Sequence, residues 1–381
     1  MNNGSISEEE ISLKQLKKDE KTVNKLDSVL DMFSINTLNK SGNKAVKGSI
    51  SLCIIAKNEE SNIARCIGSC EHIVEEVIVV DTGSTDNTVK IAKSLGAKVI
   101  IDLWDNNFAK ARNRALDEAT MEWILYLDCD EMLDFDDGYT LKEALESEGI
   151  AEGVNEGFCL NLINVVDNKM TLNYGSLRLF RNKPNYRFNG RIHEQIFPSI
   201  GEKYPESVIQ ALQVNFYHYG YDAKLNDIEA KKARNIKIFE SYEESEKDGF
   251  FYYNLGNEYT RAGDAEKALE NYLLARKVPA YDNGFKLFLP IYICKCYYDI
   301  KKFKEAIEVG LEYLKPYPNY KDLNFIVAVC YYDLNMFKEC KYYMERYIEY
   351  SKENYGYPEF YLDKCNNLDD IMKEVNSKIG K

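Results

Sequence analysis

Four short apolar runs alternate with helix-like segments in the first third of the chain, and this alternation constrains the fold most. The runs predict strands over residues 50–55, 76–80, 97–101 and 123–127. The segments between them predict helices over about 59–70, 85–95 and 108–119. Strands separated by helices of this length are typical of βαβ units, and near-continuous apolar runs fit strands covered on both faces. The pattern predicts an α/β domain built on a parallel sheet.

Acidic and polar residues follow three of these strands. The fourth strand ends in Asp128-Cys129-Asp130, the second in Asp81-Thr82-Gly83-Ser84, and the first in Ala56-Lys57-Asn58-Glu59. The carboxyl ends of parallel strands share one edge of a sheet, where ligands bind. Two carboxylates that flank one small residue can hold a hard cation, and that cation can hold a diphosphate. Taken alone, each string is also explained by a polar turn that caps a helix.

Charge and cysteine usage exclude several classes of function. The net charge of −13 argues against a nucleic-acid binder and against docking on anionic lipid. The polar first 47 residues predict no signal peptide, and no apolar run is long enough to span a membrane. The ten cysteines contain no paired C-x-x-C. We therefore expect no structural zinc, and we expect buried thiols in a reducing cytoplasm.

The remainder of the chain is helical and repetitive. The small residues Ala268, Ala306 and Cys340 occupy matching positions 38 and 34 residues apart, and extra residues near 282–284 account for the longer interval. A period of about 34 predicts tetratricopeptide-like helix pairs, with a generic helical bundle as the alternative. Such repeats form a concave surface suited to a peptide. We expect an N-terminal helical arm over 1–47, an α/β domain over 48–225 and a repeat domain over 226–381.

Five motifs in order give the chain a family resemblance. They are Lys57-Asn58-Glu59-Glu60, Asp81-Thr82-Gly83-Ser84-Thr85-Asp86, Phe108-Ala109-x-x-Arg112-Asn113, Asp128-Cys129-Asp130-Glu131, and the late series Arg178-Leu179-Phe180-Arg181, Gly190-Arg191-Ile192-His193-Glu194 and Tyr217-His218-Tyr219-Gly220-Tyr221. Over about 48–225 the chain resembles family 2 glycosyltransferases of the GT-A fold. The resemblance implies an inverting enzyme that uses a UDP-sugar together with Mg²⁺ or Mn²⁺.

The resemblance also implies roles for single residues. Asp81 contacts the base, Asp128 the ribose or metal, and Asp130 and His218 the metal. Glu194 is the candidate general base, with His193 as the alternative. The other donor-binding residues implied are Ala56, Asn58, Glu59, Ser84, Arg112, Cys129 and Arg181, with Arg112 or Arg181 stabilising the departing diphosphate.

The order of domains narrows the range of possible acceptor molecules. A helical arm, a GT-A domain and tetratricopeptide-like helices together resemble peptide S-glycosyltransferases of the sublancin type. That resemblance implies transfer from UDP-glucose to a cysteine thiol or serine hydroxyl of a bacteriocin (glycocin) precursor. It also implies that the repeats help to hold the peptide and that the arm supports a homodimer.

Two alternatives to this function stay open. The Arg-Ile-His-Glu segment is also similar to lipopolysaccharide-core glycosyltransferases, which act on cell-envelope glycans. The second alternative is a non-catalytic protein in which the repeats serve as an interaction scaffold. It predicts the loss of acidic motif residues, but Asp128, Asp130 and Glu194 are all present.

Overall fold

The computed structural model describes residues 47–147, 155–166, 169–196, 199–200, 208–220, 228–280, 284–353, 355, 357 and 368–379. The chain divides into two compact units, which we call the sheet unit (residues 1–231) and the repeat unit (residues 232–381). The predicted arm, apart from Lys47, lies outside the described residues. The same is true of Tyr221, of residues 282–283, and of the predicted boundary between residues 225 and 226.

The sheet unit is built on an eight-stranded mixed sheet. Its strands are β1 Ile50–Ala56, β2 Glu76–Asp81, β3 Lys98–Ile101, β4 Trp123–Asp128, β5 Glu131–Leu133, β6 Asn155–Val166, β7 Lys169–Arg181 and β8 Val208–His218. The strand order is β3-β2-β1-β4-β7-β6-β8-β5. The first four strands are mutually parallel, as the alternation predicts, whereas β7 joins β4 in antiparallel fashion.

Helices cover both faces of this sheet. They are α1 Ile63–Cys70, α2 Thr88–Ser94, α3 Phe108–Leu116 and α4 Phe135–Glu146. The next helix, α5 Ile228–Glu240, begins at the boundary between the two units, and most of it belongs to the repeat unit. Adjacent residues of β4 belong to different hydrophobic clusters. Leu125 packs in a cluster with Ile63 of α1, and Ile124 packs in a second cluster with Ala115 of α3. Two-sided burial explains why the strands are continuous apolar runs.

The repeat unit consists of helix pairs. The helices are α6 Gly249–Arg261, α7 Ala265–Lys277, α8 Leu289–Asp299, α9 Phe303–Leu314, α10 Lys321–Asp333, α11 Phe337–Tyr350 and α12 Leu368–Ile379. The predicted small positions Ala268, Ala306 and Cys340 are all buried, so they let the paired helices approach closely.

The turn inside each pair repeats as well. Gly263, Lys301 and Asn335 end the first helix of the three pairs with left-handed φ values of 77°, 61° and 59°. A left-handed residue commonly ends a helix because it turns the chain while satisfying the last carbonyl groups. The spacing of these residues matches the sequence period, so the tetratricopeptide-like architecture is confirmed.

None of the helices within the described ranges is long and apolar enough to cross a membrane. The nine described cysteines are free thiols, and all except Cys159 are buried. The prediction of buried thiols is therefore confirmed for these residues.

Candidate active site

The carboxyl ends of three parallel strands meet at one edge of the sheet. Ala56 at the end of β1 pairs with Asp81 at the end of β2, and Ile55 pairs with Asp128 at the end of β4. The carbonyl oxygen of Ala56 accepts both the backbone N–H (2.9 Å) and the hydroxyl (3.1 Å) of Thr82, which joins the first two loops. The strand ends that were predicted to share one edge of the sheet therefore do so.

Asp81 is almost fully buried and keeps an acceptor to spare. Its Oδ2 accepts the backbone N–H groups of Gly83 (3.1 Å) and Ser84 (3.0 Å). Gly83 has a φ of 106°, which an L side chain rarely adopts, so the turn requires glycine. The other oxygen, Oδ1, is buried and has no hydrogen-bond partner among the described residues. Buried acceptors are normally satisfied, so this orphan oxygen fits a ligand donor such as an imide N–H.

The loop after β1 is tied to the loop after β2. Asn58, with a φ of 57°, donates its N–H to Ser84 Oγ (2.8 Å) and accepts the Thr85 N–H on its side-chain oxygen (2.8 Å). The Glu59 N–H donates to Thr88 Oγ1 (2.7 Å). Asn58 and Ser84 thus shape the rim of the cleft, and the hydrogen bonds of Asn58 to Ser84 and Thr85 join the two loops.

Arg112 bridges two carboxylates. Its Nη2 donates to Asp128 Oδ1 (2.7 Å), and its Nε donates to Glu194. The guanidinium is buried over the rings of Tyr126 (4.9 Å) and Phe188 (5.6 Å). Burial alone would raise the pKa of Asp128, but Arg112 and the nearby Arg178 outweigh it and lower that pKa to about 2. The bridge holds Asp128 ionised and fixes the orientation of Glu194.

Helix α3 positions the loop that carries Glu194. The side chain of Asn113 exchanges two hydrogen bonds with the backbone of Phe188, at 2.9 and 2.8 Å. The backbone N–H of Phe108 donates to the carbonyl of Arg191 (2.8 Å). Beside Glu194, His193 has a φ of 54°, a conformation that costs a non-glycine residue free energy and is concentrated at functional sites. Asn113 therefore docks this loop rather than facing a ligand.

A second buried ion pair supports the turn Asp128-Cys129-Asp130, which we call the acidic turn. Glu131 accepts the Asp128 backbone N–H (2.9 Å) on one oxygen and Arg178 Nη2 (2.5 Å) on the other. Both side chains are buried, and the Arg178 guanidinium lies over the ring of Tyr126 (4.6 Å). The small Cys129 in the same turn donates through Sγ to the Ile55 carbonyl (3.5 Å). Glu131 and Arg178 therefore hold the turn in place.

Strand pairing brings His218 to the acidic turn. Glu131 on β5 pairs with His218 on β8, and the Tyr219 N–H donates to the Asp130 carbonyl (3.0 Å). As a result, His218 Nε2 lies 3.7 Å from Asp130 Oδ2. A side chain at Gly220 would fill this space, because its Cβ would meet both of those atoms far inside van der Waals contact. The glycine leaves room at the Asp130–His218 pair.

The donor chemistry of this pair fits a divalent cation. The Nδ1 of His218 donates to Asn164 Oδ1 (2.9 Å), which leaves the Nε2 lone pair on the side of Asp130. Burial lowers the pKa of His218, so the neutral ring is favoured. Burial also raises the pKa of Asp130, and the negative charge of Asp128 adds to that rise. A carboxylate oxygen and a neutral imidazole nitrogen are both ligands for Mn²⁺, and the carboxylate also suits Mg²⁺.

No group of three His, Cys, Asp or Glu side chains converges for a metal ion within the described ranges. Asp130 and His218 could therefore supply at most two ligands, and any remaining ligands would have to come from a bound substrate and water. Mg²⁺ sites on phosphate substrates are commonly built in this way, from one or two carboxylates and phosphate oxygens.

Arg181 does not reach the site, and its assignment to donor binding is corrected. It pairs with Trp123 at the start of β4, whereas Asp128 ends that strand. Its guanidinium donates to Glu122 (2.6 Å) and to the Asn155 carbonyl (3.1 Å). Because β7 runs antiparallel to β4, the earlier arginine of the motif, Arg178, lies nearer the acidic turn.

Comparisons with known proteins agree with this geometry. Residues 51–186 match the model of the family described as Glycosyl transferase family 2. A 230-residue stretch is 31% identical to a TPR repeat-containing protein of Synechococcus elongatus and covers 59% of this chain and 55% of that protein. A 216-residue stretch is 31% identical to the SPbeta prophage-derived glycosyltransferase SunS of Bacillus subtilis and covers 55% of this chain and 49% of SunS. The chain thus spans about half the length of these relatives.

Residues 51–186 thus match the family 2 glycosyltransferase model, and their parallel strands with acidic carboxyl ends agree with a sheet of the GT-A type. The chain is similar to SunS over those 216 residues, and its described structure continues into tetratricopeptide-like helices.

Proposed function

We propose that this chain is a metal-dependent, inverting glycosyltransferase that moves a hexose from a UDP-sugar to a peptide. The observation that carries the proposal is the set of acidic groups at one sheet edge, where Asp81 keeps an orphan acceptor and Asp130 faces His218. Asp81 Oδ1 would accept the imide N–H of uracil. Asp128 would contact the ribose, with Ala56, Asn58, Glu59, Ser84 and Cys129 shaping the donor loops.

Asp130 and His218 would hold Mg²⁺ or Mn²⁺, which supplies Lewis-acid stabilisation of the diphosphate when bound. Glu194 is the proposed general base, because the bridge from Arg112 holds its carboxylate in one orientation. In the reaction the acceptor sulfur or oxygen bonds to the anomeric carbon as the bond from that carbon to the diphosphate oxygen breaks. The electron pair of that bond stays on the diphosphate, and the acceptor proton passes to Glu194.

The proposed acceptor is a cysteine thiol, or a serine hydroxyl, of a bacteriocin precursor peptide. This part rests on the 31% identity to SunS and on the tetratricopeptide-like helices, an architecture that commonly binds peptides. The proposed donor is UDP-glucose. A cytoplasmic site of action fits the nine free cysteines of the described residues.

The direct test uses the full-length protein, UDP-glucose, Mn²⁺ and synthetic precursor peptides that carry cysteine, serine or alanine at one position. Mass spectrometry should detect one added hexose on the cysteine peptide, less on the serine peptide and none on the alanine peptide. Chelation by EDTA should abolish the addition. Absence of UDP binding would refute the enzyme proposal, whereas transfer to envelope glycans but not to peptides would replace the acceptor.

The Glu194→Gln variant tests the base. We expect transfer to slow by about 10²- to 10⁴-fold, because the variant cannot take the acceptor proton. UDP affinity, measured by calorimetry, should remain near the wild-type value, and thermal unfolding reports whether the bridge to Arg112 survives. Transfer at the wild-type rate would move the base to another group, with His193 the next to test.

A further inference from the structure

The cations that flank the acidic turn are mostly committed to carboxylates. Arg112 is bound to Asp128 and Glu194, and Arg178 is bound to Glu131. Both guanidinium groups are buried. Moving either one to a ligand would leave a buried carboxylate without its partner, which is strongly unfavourable. A departing diphosphate therefore needs a different cation.

Arg65 is also occupied near this edge. Its guanidinium lies 4.2 Å from the centroid of the Tyr219 ring, and its Nη2 donates to Asn62 Oδ1 (3.2 Å). Asn62 in turn donates to Glu59 (2.8 Å). Arg65 thus belongs to the packing that holds the loop after β1.

Lys231 differs from these arginines. It lies near the start of α5, and its Nζ donates to the carbonyl oxygen of Gly220 (3.3 Å). Among the described residues, no carboxylate forms an ion pair with it, although its charge acts on Glu59 and Asp130 and opposes the rise in their pKa values. Gly220 is the residue whose missing side chain leaves the space at Asp130 and His218. Within the described ranges, the hydrogen bond of this ammonium goes to a neutral carbonyl, and it lies beside the proposed diphosphate position.

We propose that Lys231 is a catalytic residue that binds the diphosphate of the donor and stabilises it as it leaves, an inference that rests on the proposed function. An ammonium is attracted more strongly to a charged phosphate oxygen than to a neutral carbonyl, because both partners then carry charge. The long lysine side chain delivers a compact charge on a flexible stem, so Nζ can exchange Gly220 for a phosphate oxygen. When the bond between the anomeric carbon and the diphosphate oxygen breaks, the electron pair stays on that oxygen, beside this charge.

Charge balance at the edge supports the same role. Glu59 and Asp130 are acidic groups at a site proposed to take an anionic diphosphate, and Arg112 and Arg178 already pair with Asp128, Glu194 and Glu131. Without Lys231, the proposed metal ion would have to offset more of the repulsion between these acidic groups and the diphosphate. We therefore expect Lys231 to affect ligands that carry phosphate and to have no effect on the nucleoside.

The test compares Lys231→Met, Lys231→Arg and the control Lys237→Met, whose lysine is exposed on the same helix. Calorimetry with the full-length protein and Mn²⁺ would measure binding of UDP and of uridine. For Lys231→Met we expect UDP affinity to fall about tenfold with uridine affinity unchanged, because uridine carries no phosphate for the ammonium to contact. Lys231→Arg should restore most of the affinity, and Lys237→Met should match wild type. In the transfer assay, kcat of Lys231→Met should fall more than KM rises.

Two results would overturn the inference. Wild-type UDP affinity and kcat in Lys231→Met would show that this side chain does not contact the diphosphate. An equal loss of UDP and uridine affinity, without rescue by arginine, would assign Lys231 a purely structural role. Failure of the proposed function is distinguishable from both, because the wild-type protein itself would then bind neither UDP nor uridine.

Discussion

The two units use their interiors differently. At its ligand edge the sheet unit buries ion pairs between residues far apart in sequence, since Arg112 meets Glu194 across 82 positions and Arg178 meets Glu131 across 47. The repeat unit brings helices together through small residues such as Gly310, whose nearest packing partner, Val327, is in the next helix of the sequence. Buried charges make a site sensitive to the loss of one partner, whereas packed helices are sensitive to added volume.

Removing Arg112 is the most direct test of the buried ion pairs in the sheet unit. In Arg112→Met, two partly buried carboxylates lose their shared partner, so we expect the free energy of unfolding to fall by about 3 kcal/mol. Transfer should be lost as well, because Glu194 would no longer be held. Chemical denaturation and the peptide assay measure the two effects.

Arg181→Met is the matched control for that variant. The pair of Arg181 with Glu122 is also largely buried, so its loss should lower the free energy of unfolding too, by about 1–3 kcal/mol. UDP affinity should stay at the wild-type value. If Arg181→Met removed UDP binding while Arg112→Met spared it, the positions of the two arginines relative to the donor would have to be exchanged.

Gly220→Ala tests whether the space at Asp130 and His218 is used. The added Cβ would lie 2.5 Å from Asp130 Oδ2, so one of the two side chains must move. We expect metal-dependent transfer to fall by about 10- to 100-fold, in the range seen when partners of metal ligands are removed. Gly175→Ala is the control, because its Cβ would meet Cys159 Cβ at an ordinary 3.4 Å. Full activity in Gly220→Ala would remove the support for a cation at this position.

Gly310→Ala tests the close packing of helices in the repeat unit and should have the smallest effect on the free energy of unfolding. A Cβ at this position in α9 would overlap Val327 Cγ2 on α10, and overpacking of this kind costs about 1–3 kcal/mol. Alanine regains about 1 kcal/mol of helix propensity, so we expect a net loss of about 1 kcal/mol in the free energy of unfolding. Glu308→Ala, an exposed change in the same helix, should be neutral. A more stable Gly310→Ala would mean that the two helices are not tightly packed there.

Sequence reasoning succeeded where the signal is local. The strand ends at Asp81 and Asp128 follow from apolar runs and the parallel topology that they imply. The late His218 was placed at the site through the family resemblance, and the pairing of β5 with β8 explains how it arrives there. The choice of Arg181 was wrong because the sequence does not show that β7 pairs antiparallel to β4, which puts Arg178 nearer the acidic turn.

Other groups carried signals too weak to interpret before the fold was known. Glu131 and Arg178 both lie inside the quoted motifs, yet only their shared ion pair reveals that they hold the acidic turn. Asn113 also lies inside one of these motifs, and only the structure shows that its side chain docks the loop before Glu194. Lys231 belongs to none of the motifs, and only its contact with Gly220 relates it to the site.

By itself the sequence determined the order of strands and helices, the acidic edge of the sheet and the period of the repeats. These are periodic or contiguous properties, and they follow from which side chains must be buried on each strand and helix. The tertiary structure decided which cation meets which carboxylate, which glycine leaves space beside Asp130, and where Lys231 lies. These choices depend on strand pairing between distant segments. A shift of that pairing by one residue moves every side chain of the strand to the other face of the sheet, and a reversal of strand direction changes which side chains are neighbours.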